Sequence, residues 1–163
     1  MHVNALLSTL SASLLLTLTP LVAQSSESPT CAEASEEDVA ALFDRWNESL
    51  ATLDPDEVAA NYSSDAVLLA TLSNEPRNTP ELIRDYFVDF LSQQPQGVID
   101  HRTITLECNV AHDVGIYTFT LQDEEGNSSE AMARYSYIYR YQDGEWLIEH
   151  HHSSLMPEPV SAE

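Results

Sequence analysis

Gly144-Glu145-Trp146-Leu147-Ile148-Glu149-His150-His151-His152-Ser153-Ser154 is the last patterned stretch of the chain. Asp143-Gly144 marks a tight turn, and the aromatic and aliphatic residues after it favour a strand. Side chains on a strand alternate between faces. Strict alternation predicts that Trp146, Ile148, His150, His152 and Ser154 share one face, with Leu147, Glu149, His151 and Ser153 on the other. The first face grades from a large aromatic through an aliphatic to two imidazoles and a hydroxyl. That gradient suits a buried face that opens into a polar pocket.

Upstream the pattern also has a period of two. Residues 133–141 form a strand with Tyr135, Tyr137, Tyr139 and Tyr141 in phase, a row that reads as packing against a helix or a dimer partner. Residues 115–121 and 101–109 give two more strands, the latter with Ile104, Leu106 and Cys108 on one face. Residues 123–127 form a hairpin loop.

Before Gly97 the spacing is helical. Ser35 caps a first helix that places acidic residues at its positive end and carries Val39, Leu42, Phe43, Trp46, Leu50 and Leu53 on one face. Asp54-Pro55 starts a short second helix running to about Tyr62, and Thr79-Pro80 starts a third. Residues 65–71 are a short apolar strand. Helices grouped early and strands grouped late imply an α+β fold with an antiparallel sheet packed on helices. A strongly curved sheet with the long helix in its concavity makes a cone with a pocket.

The bulk numbers narrow the function. The 163 residues suit one domain. There are 27 acidic residues against 6 basic ones, all arginine, and the formal charge is -21. Such a surface disfavours nucleic acid and anionic membranes, which need basic patches. Residues 1–23 read as a cleaved signal peptide, too short and too interrupted by Pro20 for a lasting membrane span. Residues 24–30 read as a flexible spacer, 31–158 as the domain and 159–163 as a tail. The expected location is periplasmic or secreted. Export would allow Cys31 and Cys108 to form a disulfide, and two unrelated thiols are the other reading.

Three segments carry a resemblance: Asp65-Ala-Val-Leu-Leu-Ala-Thr-Leu-Ser-Asn74, Asp85-Tyr-Phe-Val-Asp-Phe-Leu91 and Trp146-Leu-Ile-Glu-His-His-His-Ser-Ser-Leu-Met-Pro157. The element order resembles the cone-shaped nuclear transport factor 2-like fold, and within it the association domain of calcium/calmodulin-dependent kinase II. The segments more narrowly resemble iota-class carbonic anhydrases. That resemblance implies reversible hydration of carbon dioxide to bicarbonate, with Thr71, Tyr86, His152 and Ser154 as pocket residues. Ala70 stands where the family pattern leads us to expect proline. The resemblance also implies a homodimer paired through the open sheet face.

Hydration needs a nucleophilic water, a destination for its proton and donors for the negative charge growing on the carbonate oxygens. Hydroxyls both donate and accept, so Thr71, Tyr86 and Ser154 are expected to hold water and bicarbonate, with His152 as proton acceptor or relay. Ser73, His150 and Arg134 are further candidate substrate contacts. For Arg134 a salt bridge is an equal reading, and for His150 a buried hydrogen-bond partner, such as a tyrosine or Arg134, is the favoured one. No cofactor is required. Were manganese or zinc bound, His150 and His152 would hold it, but His151 could not join them on one strand face. Two other functions fit the same fold: a non-catalytic association module, and a small-molecule isomerase or cyclase.

Overall fold

The structure, a computed structural model, describes residues 30–158. The expected signal segment, most of the spacer and the tail lie outside the described residues. The elements are α1 (Glu36–Ala51), α2 (Pro55–Ala59), β1 (Tyr62–Leu69), α3 (Pro80–Leu91), β2 (Gln96–Glu107), β3 (Val110–Gln122), β4 (Ser128–Gln142) and β5 (Glu145–Leu155).

Local chemistry sets the helix starts. At α1 the Asp38 N–H donates to Ser35 Oγ at 3.2 Å, while the Ser35 N–H donates to the Asp38 carboxylate at 2.8 Å. This reciprocal box satisfies amides that have no partner inside the helix. Asp54 caps α2 and Thr79 caps α3, each followed by proline at the first helical position. The second helix stops before Tyr62. There the Asn61 carbonyl accepts the Ile148 N–H at 2.9 Å, and the chain joins the sheet earlier than its local pattern predicts.

The five strands form one sheet in the order β1-β5-β4-β3-β2. Strands β2 to β5 are an antiparallel meander, but β1 pairs with β5 in parallel. The expected antiparallel sheet therefore gains one parallel edge. Hairpin turns dictate direction between β2 and β5, whereas β1 reaches the meander through α3, and such a crossover leaves its direction free.

The buried face of α1 (Val39, Phe43, Trp46 and Leu50) packs against the sheet. Tyr117 of β3 and Tyr135, Tyr137 and Tyr139 of β4 meet it, so those three members of the tyrosine row on β4 are core, while Tyr141 is half-buried against Trp146. Trp46, 1% exposed, touches Phe87, Phe119, Tyr137 and His151 ring to ring. Truncating such a residue to alanine costs roughly 3–5 kcal/mol. At another point of the core the Arg102 Nε lies 3.2 Å from the fully buried Asp113, and the Tyr135 hydroxyl donates to the same carboxylate at 2.8 Å. Cys31 and Cys108 form a disulfide across 77 residues, tying the start of the domain to the end of β2.

Two strands carry an extra residue. Pairing steps from Ile99–Tyr117 to His101–Ile116, leaving Asp100 over on β2. A Cβ at position 115 would lie 1.8 Å from the His101 carbonyl oxygen, so only glycine fits beside that bulge. The second bulge is on β5. Ile138 pairs with His150 and Tyr139 with Ile148, leaving Glu149 unpaired.

Candidate active-site pocket

The bulge at Glu149 reverses the expected facing of the histidine segment. Alternation holds from Trp146 to Ile148, slips by one at Glu149 and resumes. Ile148, His151 and Ser153 consequently face the core side, with His151 only 4% exposed. His150, His152 and Ser154 pair with Ile138, Ser136 and Arg134 on the other face. The expectation that Trp146, Ile148, His150, His152 and Ser154 share one face is thus corrected: the first two belong to the core face and the last three do not.

On the core side a pocket of about 170 Å³ opens between α1, α3 and the sheet. Aromatic and aliphatic residues make most of its wall, among them Trp46, Phe87, Phe90 and Phe119. Thr71, Tyr86, Tyr117, His151 and Ser153 supply its polar groups. The Thr71 hydroxyl donates to Ser153 Oγ at 2.5 Å, joining the residue just beyond β1 to β5. Burial pushes the Tyr86 phenol up to about 12, opposed by the nearby Arg77. Burial also pushes the Tyr117 phenol up, opposed by the neighbouring Ser153 hydroxyl. Both phenols therefore stay protonated and can donate.

His151 is the most constrained of the set. Its Nδ1 lies 2.8 Å from the Tyr62 hydroxyl oxygen, and that oxygen accepts the Trp46 indole N–H at 3.2 Å. Its Nε2 is buried with no protein partner. Burial, then the neighbouring His150 and His152, lowers His151 to about 3, so the ring is neutral at ordinary pH.

Of the residues singled out in the sequence, Thr71 and Tyr86 line the pocket. His152 and Ser154 do not, and their places are taken by His151 and Ser153. Arg134 is exposed on the outer face, and His150 is half-buried there. Ser73 is absorbed by its own loop, accepting from Arg77 Nε and donating to the Glu75 carbonyl. Tyr117 shows in the sequence only as a strand residue; its place beside Ser153 in the pocket wall is visible once β3 and β5 are set around one concavity. Among the described residues no cluster of three His, Cys, Asp or Glu gathers anywhere. His150 and His152 are thus a pair without a third ligand and do not suit zinc or manganese. The pocket, with one imidazole and otherwise hydroxyls, does not suit those ions either.

A curved sheet wrapped around helices, with a side pocket, defines the nuclear transport factor 2-like class, whose fold is also called cystatin-like. An Ntf2-like protein from Novosphingobium aromaticivorans superposes with a TM-score of 0.64 at 11% identity, over 77% of this chain and 84% of that one. A cystatin-like protein from Caulobacter vibrioides does so with a TM-score of 0.61 at 15% identity, over 74% and 89%. At that identity the likeness is one of fold. The chain belongs to the calcium/calmodulin dependent protein kinase II association domain family, whose model matches residues 35–157. A crystal structure from Xanthomonas campestris, attributed to the same association domain, is 50% identical over 78% of this chain and 91% of that one, with a TM-score of 0.76. No curated protein matches.

Proposed function

We propose that the protein is a carbonic anhydrase of the iota type, hydrating carbon dioxide to bicarbonate in the Thr71–Ser153 pocket. The observation that carries this reading is a pocket lined by His151, whose Nε2 is buried and unpartnered, and by residues whose polar groups are otherwise hydroxyls. Carbon dioxide is small and apolar, and the aromatic walls suit it. Bicarbonate has three oxygens, and Thr71, Ser153, Tyr86, Tyr117 and His151 surround the pocket with neutral hydrogen-bonding groups.

The chemistry follows from what these groups can hold. A water bound at the Thr71–Ser153 hydroxyl pair attacks the carbon. One carbon–oxygen bond forms, and a C=O π pair moves onto an oxygen that pocket donors receive. The water's proton passes along the hydroxyls to solvent at the mouth. Donors preset where charge develops, inside walls that exclude water, are the largest catalytic contribution such a site can make. His151 held at about 3 is a poor proton store, so this scheme replaces the expected imidazole acceptor with a hydroxyl route. No step needs a metal ion.

A stopped-flow indicator assay of carbon dioxide hydration, with and without chelator, tests the proposal. Hydration above the spontaneous rate in both conditions is expected. A rate equal to buffer alone would sink it.

Association is a second reading. Val98, 64% exposed, and Val114, 38% exposed, stand on the outer sheet face beside Arg134 and His152. We expect a homodimer through this face, which light scattering of the wild type and of Val98→Glu would check. The isomerase or cyclase reading has less support. That chemistry wants a pocket carboxylate, and among the described residues no Asp or Glu lines this one.

A further inference from the structure

We infer that Tyr62, itself held by Trp46, is a positioning residue that fixes His151 with its proton on Nε2, so that the pocket meets a hydrogen-bond donor there and not an acceptor. The reasoning is an accounting of protons among buried groups. The Trp46 indole can only donate, and it donates to the Tyr62 oxygen. The Tyr62 O–H must then find an acceptor other than Trp46. The ring nitrogen Nδ1 of His151, 2.8 Å away, is the one available. If Tyr62 donates to Nδ1, that nitrogen is bare, and the single proton of the neutral ring resides on Nε2.

The opposite tautomer leaves more undone. With the proton on Nδ1, the Tyr62 hydroxyl hydrogen would be buried with no acceptor, and Nε2 would be a second unmatched group. Buried polar groups without partners are costly. The fixed tautomer leaves one unmatched group, the Nε2–H of a ring that lines the pocket, for a ligand oxygen to accept.

For the carbonic anhydrase reading, on which the catalytic part of this inference rests, the consequence is specific. The Nε2–H receives the oxygen on which charge accumulates, and His151 takes no proton from the attacking water. It also sets a ligand class: a small molecule or anion presenting an acceptor oxygen to Nε2, as bicarbonate does. An ion that must coordinate Nε2 is disfavoured, because binding it would displace the proton.

Long-range proton–nitrogen correlation of the ¹⁵N-histidine-labelled protein at neutral pH tests this directly. His151 is expected to show a protonated Nε2 and a bare Nδ1, with the Nε2–H resonance moving on addition of bicarbonate. In Tyr62→Phe, with circular dichroism unchanged, the signal is expected to turn to the Nδ1-protonated form or a mixture, and hydration to fall about tenfold or more. A bare Nε2 in the wild type overturns the inference whether or not the variant folds, and so does an unaltered tautomer in a folded Tyr62→Phe. The expected tautomer in a protein that does not hydrate carbon dioxide leaves the positioning role standing and removes the enzymatic reading.

Discussion

The Glu149 carboxylate is gripped by Arg140 through both Nε and Nη2, at 2.8 and 2.9 Å, at the place where β5 carries one residue more than its neighbour. The extra residue turns His151 and Ser153 inward and His152 and Ser154 outward. The grip itself is partly exposed and contributes little stability, since such pairs are worth under about 1 kcal/mol. It marks the residue at which the register of β5 shifts.

Paired serine substitutions read that register directly. Ser153→Ala is expected to lower kcat/KM for carbon dioxide hydration by about tenfold or more, because it removes half of the hydroxyl pair that positions the attacking water. Ser154→Ala is expected to stay within about twofold. The reverse ranking in the indicator assay would show that the phase of β5 in solution is the strictly alternating one.

Stability should depend on pH through His151. Above the ordinary histidine value of 6.5 the ring is neutral both folded and unfolded. Below it the unfolded chain binds a proton that the folded site refuses until about 3. Across that window stability falls as pH falls, by up to about 1.4 kcal/mol per pH unit from this group. Urea unfolding of wild type and His151→Gln at several pH values checks this. The variant's stability should fall less steeply, and parallel slopes would contradict a buried neutral imidazole.

Catalysis should lack the corresponding step. A ring that titrates at about 3 does not change charge near 6.5, so the pH profile of kcat/KM for hydration should show no histidine inflection there. An inflection at that pH would assign the proton to an imidazole outside the pocket.

The buried ion pair offers a contrast with the surface ones. Arg102→Met leaves the Asp113 carboxylate buried with only the Tyr135 hydroxyl for company, and a cost of about 3 kcal/mol is expected. Arg84→Met breaks only exposed contacts to Asp56 and Asp85, and a far smaller loss is expected. Chemical denaturation of the two variants gives the comparison.

The disulfide should matter more than any surface pair. Closing a loop between Cys31 and Cys108, 77 residues apart, restricts the unfolded chain, so Cys31→Ser with Cys108→Ser is expected to lose about 2–4 kcal/mol. Equal denaturation midpoints for this variant and the oxidised wild type would contradict that.

Much of the architecture was legible because it is written in local chemistry. Ser35, Asp54-Pro55 and Thr79-Pro80 announce helix starts through caps and fixed φ angles, and the change from helical to twofold periodicity after Gly97 announces the meander. Thr71 and Tyr86 were legible as candidates through resemblance alone. The direction of β1 was not, since nothing local to residues 62–69 distinguishes a parallel from an antiparallel neighbour.

The sequence by itself determined which chemical groups this domain has to work with: a histidine and serine run on a final strand, a helix with an aromatic face, and hydroxyls at the end of β1. Which imidazole and which serine enter the pocket was decided by tertiary structure. A strand reads alternately only while its pairing is regular, and the single unpaired residue at Glu149 shows itself only when β4 is laid alongside. The same holds for His151, whose neutrality comes from burial and whose Nδ1 partner, Tyr62, lies 89 residues earlier in the chain.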